Sequence, residues 1–273
     1  MNEKKEIDVG EFYGMIHDVF NYCKRDAKDE MRHYMQEYGL TKNITFCEAG
    51  GSGCRAEAMA QLGAKVYYID LSNEHIERRK NVNGLTAIHG SIIDSQPIKD
   101  CDLVFSLGVI HHTEYPAAAL LNISKWIKQG GLLHLSFYNG ETDYFFWVKT
   151  MRSLMPKDVS FNELYPLIPY VNIDHLFVPT MNLGTPDIVL HDLDKLGFTV
   201  KKKYDGFLYR ILAQKTRETD AKISDLLYKP DLALSLSRDA KIKIILEIFN
   251  QKFRGKKRNP IKKLVTKIMK LGG

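Results

Sequence analysis

Two short stretches carry the clearest chemical potential, FCEAGGSGC (Phe46–Cys54) and VYYIDLS (Val66–Ser72). In the first, an apolar run enters a cluster of small residues, Glu48-Ala49-Gly50-Gly51-Ser52-Gly53, and a helical pattern follows. A strand that opens through glycines into a helix makes an anion-friendly turn, because unpaired helix N–H groups and the positive end of the dipole face the ligand. Glycines also let a ligand approach the backbone. The second stretch is an apolar run that ends on Asp70, an acid placed to accept hydrogen bonds from ribose hydroxyls. Together the two describe a nucleoside-bearing ligand at the carboxyl edge of a sheet. The dinucleotide fingerprint G-x-G-x-x-G is absent, and a tight turn with no ligand remains an alternative for this piece taken alone.

Histidines supply the next candidates. His111-His112 follow the apolar run DLVFSL (Asp102–Leu107), at the same sheet edge. Histidine suits proton transfer near neutral pH, but a packed, hydrogen-bonded pair fits the pattern as well. His175 lies in an aromatic stretch and His191 on a helical pattern, so both are further candidates for a base. Tyr138 ends another apolar run and could line a pocket or the core.

These residues need a scaffold. Ile44–Glu48, Lys65–Asp70, Thr86–His89, Asp102–Leu107 and Leu132–Tyr138 read as strands. Arg55–Leu62, Asn73–Asn81 and Ala117–Lys128 read as the helices between them, with Gly63 and Gly130-Gly131 as stops. Such alternation predicts a mostly parallel sheet with helices on both faces. Asp187–Leu196 reads as a further helix. Phe198–Tyr204 and Leu208–Lys215 flank Asp205-Gly206, a hairpin signal that makes the last strands antiparallel. Ahead of the sheet, Phe12, Met15, Ile16, Val19, Phe20 and Cys23 recur at helical spacing within 11–38. The organisation expected is an N-terminal helical segment (1–43), a central domain (44–215) interrupted by an aromatic, proline-containing lid insertion (about 139–186), and a helical C-terminal appendage (216–273).

In this order, the motifs resemble those of class I S-adenosylmethionine-dependent methyltransferases of the quinone-methyltransferase-like type. EAGGSGC resembles the family's E/D-x-G-x-G-x-G, with Ser52 and Cys54 where glycines are usual. YYIDLS (Tyr67–Ser72) looks like its second strand and ribose acid. GSIIDSQP (Gly90–Pro97) looks like its adenine loop, and Asp100–Asn139 like its fourth and fifth strands. The resemblance implies a Rossmann-like methyltransferase sheet with S-adenosylmethionine as cofactor and S-adenosylhomocysteine as product. Ala49, Gly50, Gly51 and Ser52 would seat the methionine end, with Glu48 orienting its amino group. Asp70 would hold the ribose, with Leu71 beside it among the cofactor-binding residues, Ser91 and Ile92 the adenine, while Leu107 and Gly108 would border the sulfonium. His112, His111 and His175 are the candidate catalytic residues. Oxygen is the acceptor atom expected, on a small-molecule, glycan or lipid-linked substrate. A nucleic-acid methyltransferase and a catalytically silent binding fold are the alternatives.

Composition narrows the partners. Of 273 residues 44% are hydrophobic and 26% charged, an ordinary globular balance. The polar start MNEKKEIDVGEF shows no leader, and no apolar run nears the roughly 18 residues that span a bilayer. Four scattered cysteines without metal-type spacing suggest a reduced, cytoplasmic protein. Cys54 reads as a small structural thiol. Net charge is +6, yet residues 238–273 hold 12 Lys/Arg against two acids, so that tail is +10 and the rest −4. Within it, Ile261, Leu264, Val265, Ile268 and Met269 line one helical face and lysines the other. Such a helix suits an anionic membrane surface, which would place the enzyme peripherally on the membrane's inner face. Packing on its own core or on a second subunit is an alternative. The lysines are not interleaved with aromatics, which argues against RNA. Monomer and homodimer are both compatible with the sequence.

Overall fold

The computed structural model describes residues 9–10, 12–13, 27–41, 43–154, 178–206 and 208–230. His175 and the whole tail 238–273 lie outside the described residues. Two compact units emerge, one of Met1–Asn139 with Pro179–Pro230, the other of Gly140–Val178 with Asp231–Gly273. In the second, the described part is helix α5 (Asp143–Leu154), which buries Phe145 and Val148 and donates from Arg152 to the Val178 carbonyl.

The first unit is a seven-stranded sheet. Its strands are β1 (Thr45–Ala49), β2 (Lys65–Asp70), β3 (Leu85–His89), β4 (Cys101–Leu107), β5 (Ile127–Tyr138), β6 (Phe198–Tyr204) and β7 (Leu208–Lys215), in the spatial order β3-β2-β1-β4-β5-β7-β6. Pairing is parallel from β3 to β5 and antiparallel for β5–β7 and β7–β6. The helices are α1 (Ala27–Glu37), α2 (Cys54–Gln61), α3 (Asn73–Glu77), α4 (Pro116–Trp126) and α6 (Pro186–Lys195). This is the expected Rossmann-like α/β sheet with an antiparallel end. The winding of the sheet reverses between the parallel neighbours β1 and β4, where strand order switches sides and ligands of open α/β sheets bind. Among the described residues no helix is long and apolar enough to cross a membrane.

Side-chain alternation divides the core into two layers. On β5, Leu133, Leu135 and Phe137 join α4 and α6 in one cluster, while Leu132 joins Phe105, Phe46 and Met59 in the other. His134 falls on the second face, edge-on to Phe105 and Tyr34.

Three expectations are adjusted. Strand β5 starts at Ile127, inside the segment expected as helix. Cys101 pairs with Ile127 but Leu103 with Leu132, so residues around Gly130-Gly131 form a bulge. A Cβ on Gly131 would meet the Cys101 carbonyl at 2.7 Å, so the close approach requires glycine. Helix α3 ends at Glu77 and continues only as turns. Within 11–38, residues 12–13 and Ala27–Glu37 are helical, and most of the stretch between them lies outside the described residues.

Residues beyond β7 belong to the sheet's packing. Asp192 on α6 is fully buried, and its carboxylate accepts the backbone N–H groups of Leu227 (2.7 Å) and Tyr228 (2.9 Å). Tyr228, itself buried, donates its hydroxyl to the Asn182 carbonyl (2.9 Å).

His134 gives the layer a pH signature. Burial, with Arg210 and Arg55 adding to it and Glu37 opposing, pushes its imidazole down to about 4 from 6.5. The unfolded chain therefore binds that proton more readily. The stabilising difference is complete above pH 6.5 and is lost as pH falls toward about 4, a loss of roughly 3 kcal/mol at 1.36 kcal/mol per unit. Urea unfolding across this window should show that decline, and His134→Phe should flatten it. An unchanged slope in the variant would assign the effect to other groups.

Candidate functional site

The turn after β1 is built on three glycines in the left-handed region, Gly50 (φ 79°), Gly51 (φ 93°) and Gly53 (φ 74°). Other residues adopt this conformation at a cost. Space forbids side chains too. A Cβ on Gly50 would lie 2.4 Å from Val109 Cγ1, and one on Gly53 2.3 Å from Arg79 Cδ and 2.9 Å from the Tyr68 ring. The turn is tied down by Gly50 N–H donating to the Ile69 carbonyl (2.7 Å) and Tyr68 hydroxyl to the Gly51 carbonyl (2.7 Å).

Glu48 is buried beneath this turn, and its Oε2 accepts the Ala56 N–H at 2.7 Å, capping α2 from outside. Burial raises its carboxyl above the ordinary range, opposed first by the Arg55 charge and then by the Ala56 bond. Arg55 also pairs with Glu30 at 3.0 Å, fixing α1 against α2.

Asp70 sits at the end of β2 with one oxygen, Oδ1, accepting the Ser72 N–H (2.7 Å) and 3.5 Å from His75 Nδ1. Ser91 starts the loop after β3. Its carbonyl accepts from Gln96 Nε2 (3.0 Å), and Asn122 Nδ2 holds the Ile93 carbonyl (2.5 Å).

These elements enclose a cavity of about 810 Å³. Gly50, Gly51, Asp70, Leu71, Ser91, Ile92, Gly108 and His112 all line it. Glu48, Ala49, Ser52, Leu107 and His111 do not. Glu48 and Ala49 are buried behind the turn, Ser52 donates to Cys54 Sγ (3.1 Å), and Leu107 packs into the core layer under α1 and α2. Cys54 is disulfide-bonded, which corrects the expectation of a free thiol. Cys47 and Cys101 are free and buried, and burial pushes the Cys101 thiol up to about 12.

The two adjacent histidines do different things. His111 is fully buried, stacked on Tyr138 at 3.5 Å, and its Nδ1 accepts the Tyr138 N–H (3.3 Å). That lone pair is spent on the backbone. His112 Nδ1 lies 2.9 Å from the Thr180 carbonyl, which can only accept, so this nitrogen carries the proton and the basic lone pair of the neutral ring is on Nε2. His191 lies beside Asp192 (3.1 Å), away from the cavity lining.

Sequence reasoning missed part of the wall. His89 and Gly90 end β3 and were legible there. Val9, Gly10 and Tyr13 come from the N-terminal segment, and Pro179 and Thr180 from the irregular segment ahead of α6. Only the tertiary fold brings them in. The close packing shows at Gly10, where a Cβ would meet the Leu71 carbonyl at 2.5 Å.

A nucleoside with an amino-acid end fits this cradle. Three bare left-handed glycines border the turn, Gly108 (φ 77°) leaves open space beside it, and Leu71 exposes 43% of its surface at the cavity. The volume lies in the range of cofactor sites.

Residues 48–135 match the family model described as "Methyltransferase domain". This segment of the chain, about a third of its length, resembles a methyltransferase domain. Over 94 residues the chain is 37% identical to the mitochondrial ubiquinone biosynthesis O-methyltransferase of Schizosaccharomyces pombe, a match covering 32% of this chain and 34% of that protein. The match thus spans about a third of that curated relative's length. Solved structures share the fold at low identity. A magnesium protoporphyrin IX methyltransferase from Synechocystis PCC 6803 superposes with TM-score 0.53 at 16% identity, covering 76% of this chain and 98% of that one. The 1,6-didemethyltoxoflavin-N1-methyltransferase of Burkholderia thailandensis gives 0.50 at 14%, covering 77% and 87%.

The glycine turn after β1 yields a differential test. Gly63 is also left-handed (φ 90°) but has nothing within 4 Å of an added Cβ. Gly63→Ala should cost about 1–2 kcal/mol from conformation alone. Gly53→Ala adds overlap with Arg79 and Tyr68 and should cost on the order of 1–3 kcal/mol more. Denaturant unfolding compares the two, and equal losses would show that those side chains yield freely.

Proposed function

We propose that this protein is an S-adenosylmethionine-dependent methyltransferase that methylates an oxygen of a small-molecule, glycan or lipid-linked acceptor. The observation that carries the reading is the shared cavity, where a carboxylate at the end of β2, bare glycine backbone after β1 and an imidazole after β4 face one space. The oxygen acceptor is supported by the tautomer of His112 and is compatible with the relative named as an O-methyltransferase.

When bound there, S-adenosylmethionine supplies a methyl group on a sulfonium, open to in-line displacement. Asp70 accepts hydrogen bonds from the ribose diol through its carboxylate. Leu71 and Ile92 offer apolar surface to the adenine. Gly50, Gly51 and Gly108 keep the backbone close to the methionine end. His112 accepts the acceptor's hydroxyl proton at Nε2, while Thr180 fixes the ring by taking the Nδ1–H. Tyr13, edge-on to His112 at 5.6 Å, and Pro179 limit the space left for the acceptor and for water.

Calorimetric titration with S-adenosylhomocysteine should give saturable binding, weakened about tenfold or more in Asp70→Ala, as for a lost charge-assisted hydrogen bond of about 1.4 kcal/mol or more. His112→Asn should leave that affinity unchanged but lower kcat on an oxygen acceptor by about 10²-fold or more. Acceptors can be sought by labelled methyl transfer into aqueous and solvent-extracted fractions of a cell extract. Unchanged turnover in His112→Asn removes the base assignment, and unchanged affinity in Asp70→Ala removes the ribose assignment.

The same reading includes a membrane partner for the basic segment 238–273. Each lysine near an anionic surface contributes about 1 kcal/mol, so a handful localises a protein. Flotation with anionic liposomes should carry the full chain, and not a chain ending before Arg238, to the top of the gradient. Equal flotation of both removes the tail as the membrane contact.

A further inference from the structure

A second concave site lies away from the cofactor cavity and shares no lining residue with it. It is a groove of about 390 Å³ lined by His33, Tyr34 and Glu37 of α1, His134 of β5, Tyr204 of β6 and Arg210 of β7. The geometry points to a binding site for a small planar carboxylate, its anionic end on Arg210 and a polar edge atom on His134.

His134 makes this more than a surface dent. It is 1% exposed, its Nδ1 is paired with the Tyr38 hydroxyl at 3.0 Å, and among the described residues its Nε2 has no hydrogen-bond partner. Buried polar atoms are almost always satisfied, and an orphan in a groove wall is an invitation to a ligand atom. The ring is neutral near pH 7 because burial and the Arg210 charge hold it down. It therefore seeks a hydrogen bond rather than an ion pair.

Charge at the rim has one uncommitted member. Glu37 is taken by Lys202 (2.5 Å), with the Tyr204 hydroxyl at 3.4 Å and His33 Nε2 at 3.9 Å. Arg55, the other cation acting on His134, is bound to Glu30. Arg210 stacks over the Tyr204 ring at 5.4 Å, and among the described residues no carboxylate pairs with it. A guanidinium fixed on an aromatic face presents its fork of N–H donors outward, the geometry that recognises a carboxylate with two parallel hydrogen bonds. Between Arg210 and His134 the walls are aromatic. Tyr34 stands edge-on to His134 at 5.3 Å and stacks on Tyr38 at 5.5 Å. Such walls favour a flat ring over a bulky or aliphatic one. In the antiparallel register Arg210 pairs with Ser136 and Leu212 with His134, so the two polar contacts lie one diagonal step apart, a span that a six-membered ring with a substituent covers.

The test is calorimetric titration of the full chain with benzoate, 3-hydroxybenzoate and cyclohexanecarboxylate, each with and without S-adenosylhomocysteine. The expected result is saturable binding of the aromatic acids in the low millimolar range or better, tighter for the hydroxylated one, weaker for the aliphatic acid, and equal with and without S-adenosylhomocysteine. Arg210→Gln, at an exposed position, should weaken benzoate by roughly tenfold. His134→Phe should abolish the advantage of the hydroxyl. Absent saturation, competition with S-adenosylhomocysteine, or full affinity in Arg210→Gln would each overturn the proposal. Because the groove is titrated in both states of the cavity, failure here and failure of the cofactor reading remain distinguishable.

Discussion

Everything at the cavity depends on how the chain leaves β1. Three left-handed glycines turn it so sharply that Val109, Arg79 and Tyr68 pack against bare backbone. A turn of this kind cannot supply a side-chain cap for the helix it starts, and Gly53 at the α2 N-terminus makes no side-chain cap bond. Glu48, still on the strand, fills that role by accepting the Ala56 N–H. The carboxylate thus complements the positive end of α2 from beneath while the glycines keep the top surface free. Its burial is costly, which is why its carboxyl is raised. The offset comes from Arg55 and Arg79, both brought in by packing. The free backbone and the buried acid are one device, because opening the turn to a ligand leaves the capping to a residue below it.

The opposite wall is held by long-range ties. The segment after the insertion returns along β4 and β5 through Asn182, whose N–H donates to the His111 carbonyl (2.6 Å) and whose side chain donates to the Thr113 carbonyl (2.6 Å). Gly184 N–H adds a bond to the Tyr138 carbonyl (3.1 Å). Tyr228, anchored by the buried Asp192, closes the set from the far end of the chain. The carbonyl that fixes the His112 tautomer, Thr180, belongs to this same return. The proton state of the imidazole in the cavity is therefore set by a segment 68 residues away in sequence. Perturbing Asp192 or Tyr228 should reach the cavity through that route rather than by direct contact.

Local chemistry made the parallel half of the sheet legible. Short apolar runs ending on Gly or Asp have few other solutions, and the ends of β1, β2 and β4 put Gly50, Asp70 and Gly108 on one edge wherever the exact strand boundaries fall. Order along the chain added what each piece lacked, since the glycine turn alone fits many sites. What stayed hidden is what distance in sequence conceals. Nothing near Asp192 marks it as a buried acceptor, because its two donors lie 35 and 36 residues on. Val9, Gly10 and Tyr13 carry no motif, and they reach the cavity only because the N-terminal segment packs on Leu71. Strand β5 was shortened because Gly130-Gly131 reads as a helix stop, when it is a bulge that resumes pairing with β4.

Three of the buried histidines, His111, His112 and His134, show why residue type alone does not assign a role. His111, His112 and His134 all sit at or near the C-terminal half of the sheet, all nearly without exposure. Their hydrogen bonds separate them. His111 accepts a backbone N–H, so its ring is a structural acceptor wedged under Tyr138. His112 donates from the same ring position, which moves the basic lone pair to the other nitrogen. His134 pairs with a tyrosine hydroxyl, and its ring lines a groove while its second nitrogen has no hydrogen-bond partner among the described residues. A one-residue step along a strand or 3₁₀ turn decides which of these applies, because it selects the face and hence the partner. The distinction lies in backbone register, so a sequence that shows His-His can nominate a base while leaving open which ring it is.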